Sequence, residues 1–149
     1  MIKQETLADL ISNEIISQPK GEKVILSKYN DWKIEYFVKW NSRKVNLIIS
    51  AQVPKFHITF DNCVIKKAKL ISIISRYENY KILGKSSSIS ELLLADPTSR
   101  SLLKGENAEF ELKDKNLIYK VRLKTSDKTS LSNVIILIEK LTEKIDLII

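Results

Sequence analysis

The chain contains few of the residues that build chemical sites. Its 149 residues include one cysteine, Cys63, one histidine, His57, three prolines and three glycines. A single cysteine excludes an internal disulfide and a cysteine-based zinc site. The three glycines, Gly21, Gly84 and Gly105, lie too far apart to form either of the common phosphate-binding loops. The composition therefore indicates no metal, cofactor or small-molecule substrate.

Long apolar runs are also missing. No run of about 18 apolar residues occurs, so the sequence predicts no membrane span. The N-terminal segment lacks the apolar core that a signal peptide carries behind its basic start. Together with the lone thiol, these absences favour a reducing compartment and a cytoplasmic location. The apolar fraction of 44% and the chain length predict one globular domain over residues 1–149.

Positive charge is plentiful, but arginine is scarce. There are 25 basic and 18 acidic residues, which give a net charge of +7, and 21 of the bases are lysines. Arginine is the preferred residue for bidentate recognition of phosphates, whereas a lysine-rich chain can also reflect an A/T-rich genome. The charge alone therefore does not identify an anionic partner.

Residues 32–51 have the clearest strand pattern. Apolar residues occupy every second position on both sides of a short turn at 41–42, which is typical of a hairpin with one buried face. A two-residue loop places Ile34 opposite Ile49 on that face. A similar pattern around residues 108–124 predicts a second hairpin, which turns at Asp114-Lys115 and pairs Phe110 with Tyr119.

Further strands are expected before and between these hairpins. A short strand lies within "KVILS", and residues 56–67 are predicted to form a hairpin that turns at Asp61-Asn62. This hairpin places Cys63 on the apolar face and His57 on the other. The segment after the turn, to about residue 75, is predicted to be a strand or the start of a short helix, and another strand follows to about residue 85.

Three segments have helical patterns. An amphipathic helix is predicted over residues 3–17, and two short helices or one kinked helix over residues 88–104. The second segment starts with a Ser88 capping box and restarts at Asp96-Pro97. A last helix is capped by Thr129 or Ser130. Its predicted buried stripe consists of Leu131, Val134, Ile135, Ile138, Leu141, Ile145 and Ile148.

The order of these elements predicts an α+β fold. Short hairpin loops favour an antiparallel sheet of about six to eight strands, with the N-terminal, middle and C-terminal helices packed mainly on one face.

Cys63 and His57 do not have the spacing of a nucleophile and its base. A straight strand separates them by about 20 Å and a hairpin puts them on opposite faces, whereas activation needs about 3 Å. We expect an inert buried cysteine and a surface histidine. Sites made only of carboxylates leave no sequence signal, so an enzyme is not excluded.

Basic residues concentrate in the predicted strands. If these strands are neighbours, the uncovered sheet face is cationic, and Phe37 with Tyr119 or Tyr80 could add aromatic rings for stacking on unpaired bases. A solvent-facing sheet also needs polar residues, and this alone explains the pattern. The candidate anion-binding residues are Lys33, Lys39, Arg43, Lys44, Lys66, Lys120, Arg122 and Lys124.

The chain ends in three apolar residues, which is unusual for a terminus. Leu147 and Ile149 fall off the buried stripe, and with Leu137 they are a candidate edge for a protein partner or a second copy of the chain. Alternatively, the natural protein continues past Ile149, or the tail folds back. The sequence thus favours a non-enzymatic domain that binds another protein; the alternative is a nucleic acid or anionic surface bound through the lysine-rich face.

Overall fold

The computed structural model describes residues 6–67 and 80–149. The elements follow one another as α1 (Leu7–Ser17), β1 (Gly21–Tyr29), β2 (Trp32–Trp40), β3 (Lys44–Gln52), β4 (Phe60–Lys67), β5 (Tyr80–Gly84), α2 (Ser88–Ala95), α3 (Pro97–Leu103), β6 (Glu106–Asp114), β7 (Asn116–Lys124) and α4 (Lys128–Asp146).

The seven described strands form one open antiparallel sheet. Their order across the sheet is β1-β2-β3-β7-β6-β4-β5, and every neighbouring pair is antiparallel. Buried residues from all four helices share one apolar cluster with one face of the sheet. The predicted α+β fold, with a sheet of six to eight strands and helices on one face, is confirmed.

Strand β2 has one buried face and one exposed face, as its alternating sequence pattern predicted. Its even-numbered residues from Trp32 to Trp40 are buried, whereas Lys33 and Lys39 are exposed. The indole N–H of Trp32 donates to a carboxylate oxygen of Asp146 over 2.9 Å, at the end of α4. The Trp32 ring is therefore buried without leaving its indole N–H unpaired.

The predicted pairing of β2 with β3 is wrong by two residues. Ile34 lies opposite Ala51 and not opposite Ile49. The turn lies one residue later than predicted, because the backbone N–H of Asn41 donates to the Lys44 carbonyl oxygen over 3.0 Å and the Asn41 side chain accepts from the backbone N–H of Lys44 over 2.9 Å. A shift of two residues keeps every side chain on its face, because side chains in a strand alternate with a period of two.

The second hairpin has the predicted turn and pairs. Phe110 lies opposite Tyr119 and Leu112 opposite Leu117, and the first two rings are 5.1 Å apart. Asp114 adopts a positive φ of 54° at the turn, a conformation that Asp and Asn accept more readily than other residues.

The predicted hairpin over residues 56–67 does not form. Residues 53–59 are a loop, and β4 continues through Asp61 and Asn62, where its register with β6 shifts by one residue. The Asn62 side chain accepts from the backbone N–H of Asp114 over 3.2 Å, so it joins two strands and does not close a turn. The predicted strand and turn positions from 68 to 79 lie outside the described residues.

Strand β1 is longer than the short strand that the sequence predicted. It pairs with β2 along its whole length, from Gly21 to Tyr29. The connecting residues Asn30 and Asp31 have positive φ angles of 46° and 69°. Two such residues form the tight turn whose twist suits a two-residue hairpin.

Two predicted helix starts are displaced, those of α1 and α2. Helix α1 starts at Leu7 after its cap Thr6, and not at residue 3. Helix α2 is capped by Ser87, not Ser88, and the Ser87 hydroxyl accepts from the backbone N–H of Ser90 over 3.2 Å. Helix α3 starts at Pro97 after its cap Asp96, as predicted.

Helix α4 starts earlier and ends earlier than its pattern suggested. Its cap is Asp127, not Thr129 or Ser130, because the Asp127 carboxylate accepts from the backbone N–H of Ser130 over 3.0 Å. The predicted stripe is buried from Leu131 to Ile145. Ile148 is exposed, contrary to the prediction, because it follows the end of the helix.

One ion pair holds α4 against the start of α3. The Lys144 ammonium lies 2.9 Å from both Asp96 carboxylate oxygens and 2.9 Å from the Thr98 hydroxyl. Burial alone would raise the pKa of Asp96, but the hydrogen bond from Lys144 and those from Thr98 together hold it below the ordinary value of 3.8.

The core position of Ile49 predicts a stability difference. Replacing Ile49 by Ala removes buried methyl groups and leaves a cavity, so we expect a loss of about 2–4 kcal/mol in the free energy of unfolding by urea. The neighbouring variant Ile48→Ala, on the opposite face, is the control and should cost clearly less. Equal losses would contradict the assignment of the two faces.

The Asp96–Lys144 pair predicts a pH dependence of stability. Because the pKa of Asp96 is lower in the folded state, its contribution is complete above the ordinary pKa and is lost as the pH falls through the lowered value. We expect Asp96→Asn to lower the unfolding free energy by about 1 kcal/mol at pH 7 and by less at pH 3. A pH-independent gap between wild type and Asp96→Asn would contradict the assignment.

Candidate binding surface

The sheet face opposite the helices, called here the open face, carries apolar as well as charged residues. The strand registers place seven apolar side chains on it, which we call the apolar band. They are Val24, Leu26, Phe37, Ile48, Ile118, Val64 and Leu83.

The apolar band has members on six of the seven described strands and is interrupted at β6 by Glu111. Val24, Phe37 and Ile48 are adjacent on β1, β2 and β3, and Val64 pairs with Leu83 at the opposite edge. Leu26 is 77% exposed, and the central members are half-buried by their neighbours. A sheet face in water is normally polar, and contiguous exposed apolar residues mark interaction sites.

The sequence did not reveal this band. Its signal is present where strict alternation breaks down into continuous apolar runs, as at Val24–Leu26 and Leu47–Ile49. Such runs are typical of strands with two covered faces. In this fold the helices cover only one.

Seven of the eight candidate anion-binding residues lie in strands, at open-face positions of the register. Arg43 lies in the turn between β2 and β3, at the end of that face. The seven in the strands are Lys33, Lys39, Lys44, Lys66, Lys120, Arg122 and Lys124.

Acidic and amide side chains of the same face neutralise or engage part of this charge. The Lys44 ammonium lies 2.7 Å from a carboxylate oxygen of Glu106, and this hydrogen bond lowers the pKa of Glu106. The Lys120 ammonium is 3.9 Å from Glu109. The guanidinium Nε of Arg122 donates to the Asn46 side chain over 3.1 Å.

Other lysines of the open face remain available for a partner. Within residues 6–67 and 80–149, no carboxylate lies within 4.0 Å of the ammonium groups of Lys33, Lys39 or Lys66. Basic groups therefore surround the apolar band without being fully balanced by acids. A groove of about 260 Å³ also crosses this face, with Leu26 at one end and Asn116 at the other.

The expected aromatic platform is not present. Tyr119 lies on the helix-covered face, where its hydroxyl donates to the Leu102 carbonyl oxygen over 2.6 Å. Tyr80 takes the register position of that same face. Of the described strand residues, Phe37 is the one aromatic on the open face.

The three candidate partner residues near the C-terminus differ in exposure. Leu147 is 85% exposed, whereas Leu137 and Ile149 are half-buried against the core. The Lys55 ammonium donates to the Ile149 carbonyl oxygen over 3.1 Å, so the loop over residues 53–59 lies beside this terminus. Binding of a partner at these residues stays a prediction.

Cys63 and His57 occupy different environments. Cys63 is buried on the helix-covered face of β4, and burial raises the pKa of its thiol. His57 lies in the exposed loop, with its ring edge-on to Phe56. A buried thiol with a raised pKa is protonated at neutral pH and does not act as a nucleophile.

The part of the chain that the structure describes contains neither a metal-binding cluster nor a helix that could span a membrane. No group of three or more His, Cys, Asp or Glu residues there is placed to hold a metal ion. Among the same residues, no helix combines the length and apolarity needed to cross a membrane.

Comparison with known proteins gives no match. No protein-family model, no curated protein and no solved structure resembles this chain closely enough to be assigned to it.

Cys63 gives a direct test of the buried assignment. Because the thiol is covered and protonated, we expect native protein to react with a thiol reagent far more slowly than urea-unfolded protein. Cys63→Ala should lower the unfolding free energy by about 1–2 kcal/mol. Equal labelling rates in the two states would contradict the burial.

Proposed function

We propose that this chain is a non-enzymatic binding domain whose open face takes up another protein. The observation that carries the proposal is the one-sided packing of the helices, which leaves the apolar band uncovered on six of the seven described strands. The partner is a protein with an apolar surface bordered by acidic side chains.

The apolar band supplies the attraction. Burying a fully exposed leucine or valine side chain contributes about 1.5–3 kcal/mol, so Leu26 offers most of this gain and the half-exposed Val24 and Leu83 offer part of it. The half-buried central members Phe37 and Ile48 add contact area with little loss of side-chain entropy, since their neighbours already hold them.

The lysines supply orientation. Lys33 and Lys39 of β2 and Lys66 of β4 border the band from both halves of the sheet. Charges at the rim of an interface accelerate encounter and select the partner more than they add affinity. An acidic rim on the partner is the complement of this arrangement.

Nucleic acid fits the open face less well than protein. Sheets that bind unpaired bases present several aromatic rings, and the described strands place only Phe37 here. Arginine, which reads phosphates in a bidentate manner, is represented on the open face by Arg122, which already bonds Asn46. We place the complex in the cytoplasm, which the lone thiol supports.

The test compares one variant in the middle of the open face with one at the C-terminus. Ile48→Glu/Ile118→Glu introduces two carboxylates into the apolar band, and Leu147→Glu changes an exposed residue elsewhere. Each protein is immobilised and exposed to a lysate of the source organism, and the bound proteins are quantified by mass spectrometry. Circular dichroism first confirms that each variant is folded.

We expect an acidic protein that wild type and Leu147→Glu retain equally and that the double variant loses, with retention weakened by salt. If the double variant retains every protein that wild type does, the open face is not the binding surface. If only Leu147→Glu loses the partner, the binding surface is the C-terminal edge that contains Leu147 and not the open face. Retention on nucleic acid at low salt, lost with the double variant, would assign the alternative ligand.

A further inference from the structure

Strand β1 is a long edge of the sheet. It spans Gly21–Tyr29 and pairs with β2 on one side only. Over the described ranges, 6–67 and 80–149, no strand pairs with its other side. An edge strand exposes backbone N–H and C=O groups that another strand can use.

The hydrogen bonds of β2 and β3 show which groups of β1 point outward. The backbone N–H of Asn41 donates to the Lys44 carbonyl oxygen at the end of β3. Because the backbone groups of successive residues in a strand point to opposite sides, the odd-numbered residues of β2 bond to β3 and the even-numbered residues bond to β1. In the register of these two strands, the even-numbered residues of β2 lie opposite odd-numbered residues of β1, so the odd-numbered residues of β1 bond to β2. The even-numbered residues therefore direct their backbone groups to the free edge, and these are Glu22, Val24, Leu26 and Lys28.

This edge has little of the protection that edge strands usually have. It contains no proline, and its pairing with β2 runs without a bulge. The two central outward residues, Val24 and Leu26, are also the exposed end of the apolar band. Their charged neighbours, Glu22 and Lys28, have opposite signs and lie symmetrically about Ile25.

We propose that β1 pairs antiparallel with β1 of a second copy of this chain, with Ile25 opposite Ile25 of that copy. In this register, Val24 lies opposite Leu26 of the second copy, and Glu22 lies opposite Lys28. Each contact occurs twice because the two-fold axis passes between the two isoleucines. The pairing closes after two copies and makes one continuous sheet.

Charge complementarity selects this register over its neighbours. A shift by two residues in one direction places Lys20 opposite Lys28, and like charges directly opposite destabilise a sheet. A shift in the other direction places Lys28 opposite Val24 and leaves Glu22 without a basic partner. Odd shifts do not align the outward backbone groups of the two strands.

Helix α1 offers a second contact beside the strands. Glu14 of α1 lies 3.9 Å from Lys23 of β1, so this side of the helix borders the free edge. Leu10 precedes Glu14 by one turn on the same side and is exposed. The dimer rests on these contacts and not on the proposed protein partner of the open face.

A charge exchange tests the register. Sedimentation equilibrium is measured for wild type, Glu22→Lys, Lys28→Glu and the double variant Glu22→Lys/Lys28→Glu. We expect a wild-type dimer, dissociation constants raised about tenfold or more in each single variant, and recovery in the double variant. Leu83→Lys, at the opposite edge of the same face, is the control and should leave the dimer unchanged.

A cross-link tests the two-fold axis. In a Cys63→Ala background, Ile25→Cys should form an intermolecular disulfide, since Cα atoms in such a pair lie about 4.5 Å apart. Lys23→Cys should not, because its copies lie about 13 Å apart along the strands. A monomeric wild type, a double variant no better than the singles, or equal cross-linking at both positions would each overturn the proposal.

Discussion

The rest of the structure depends on burying one face of the sheet under helices. Two tryptophans at the ends of β2 fix the positions of two helices, because each buried indole N–H needs an acceptor. Trp32 finds Asp146 at the end of α4, and Trp40 donates to the Gln18 carbonyl oxygen over 3.1 Å, just beyond α1. Since all four helices are committed to this face, the opposite face has no cover from the described chain, and its mixed apolar and basic character becomes available for binding.

The faces of the strands could be predicted, but their partners could not be predicted everywhere. Which side chain is buried depends on alternation along one segment, and this held for β2, β3, β6 and β7. Which residue lies opposite depends on the hydrogen bonds of the turn. At Asn41 hydrogen bonds to Lys44 displace the turn by one residue, and at Asn62 the side chain bonds to a distant strand instead of closing a turn. Both residues are common in turns, so local sequence does not distinguish the two roles.

The candidate surface was predicted in part for the same reason. The lysines fell on the open face because their strand positions alternate with buried residues. The acidic neighbours of these lysines, Glu106 and Glu109, lie on β6. They come close to the lysines only because β7 pairs with both β3 and β6. Strand order is long-range information, so the partial neutralisation of the face was not predictable. Tyr119 faces the core, although the residue after it is a lysine of the open face. The alternation of buried and exposed positions along β7 was enough to exclude Tyr119 from the open face.

The strand order also constrains how the chain is assembled during synthesis. Strands β1, β2 and β3 follow one another and pair locally, but the other side of β3 pairs with β7, near the end of the chain. At synthesis rates of about 5–20 residues per second, several seconds pass before β7 leaves the ribosome. During that time β3 presents its apolar residues and open backbone groups without their native partner. A chaperone would therefore matter most during synthesis, after the N-terminal half has emerged and before β7 is available to pair with β3.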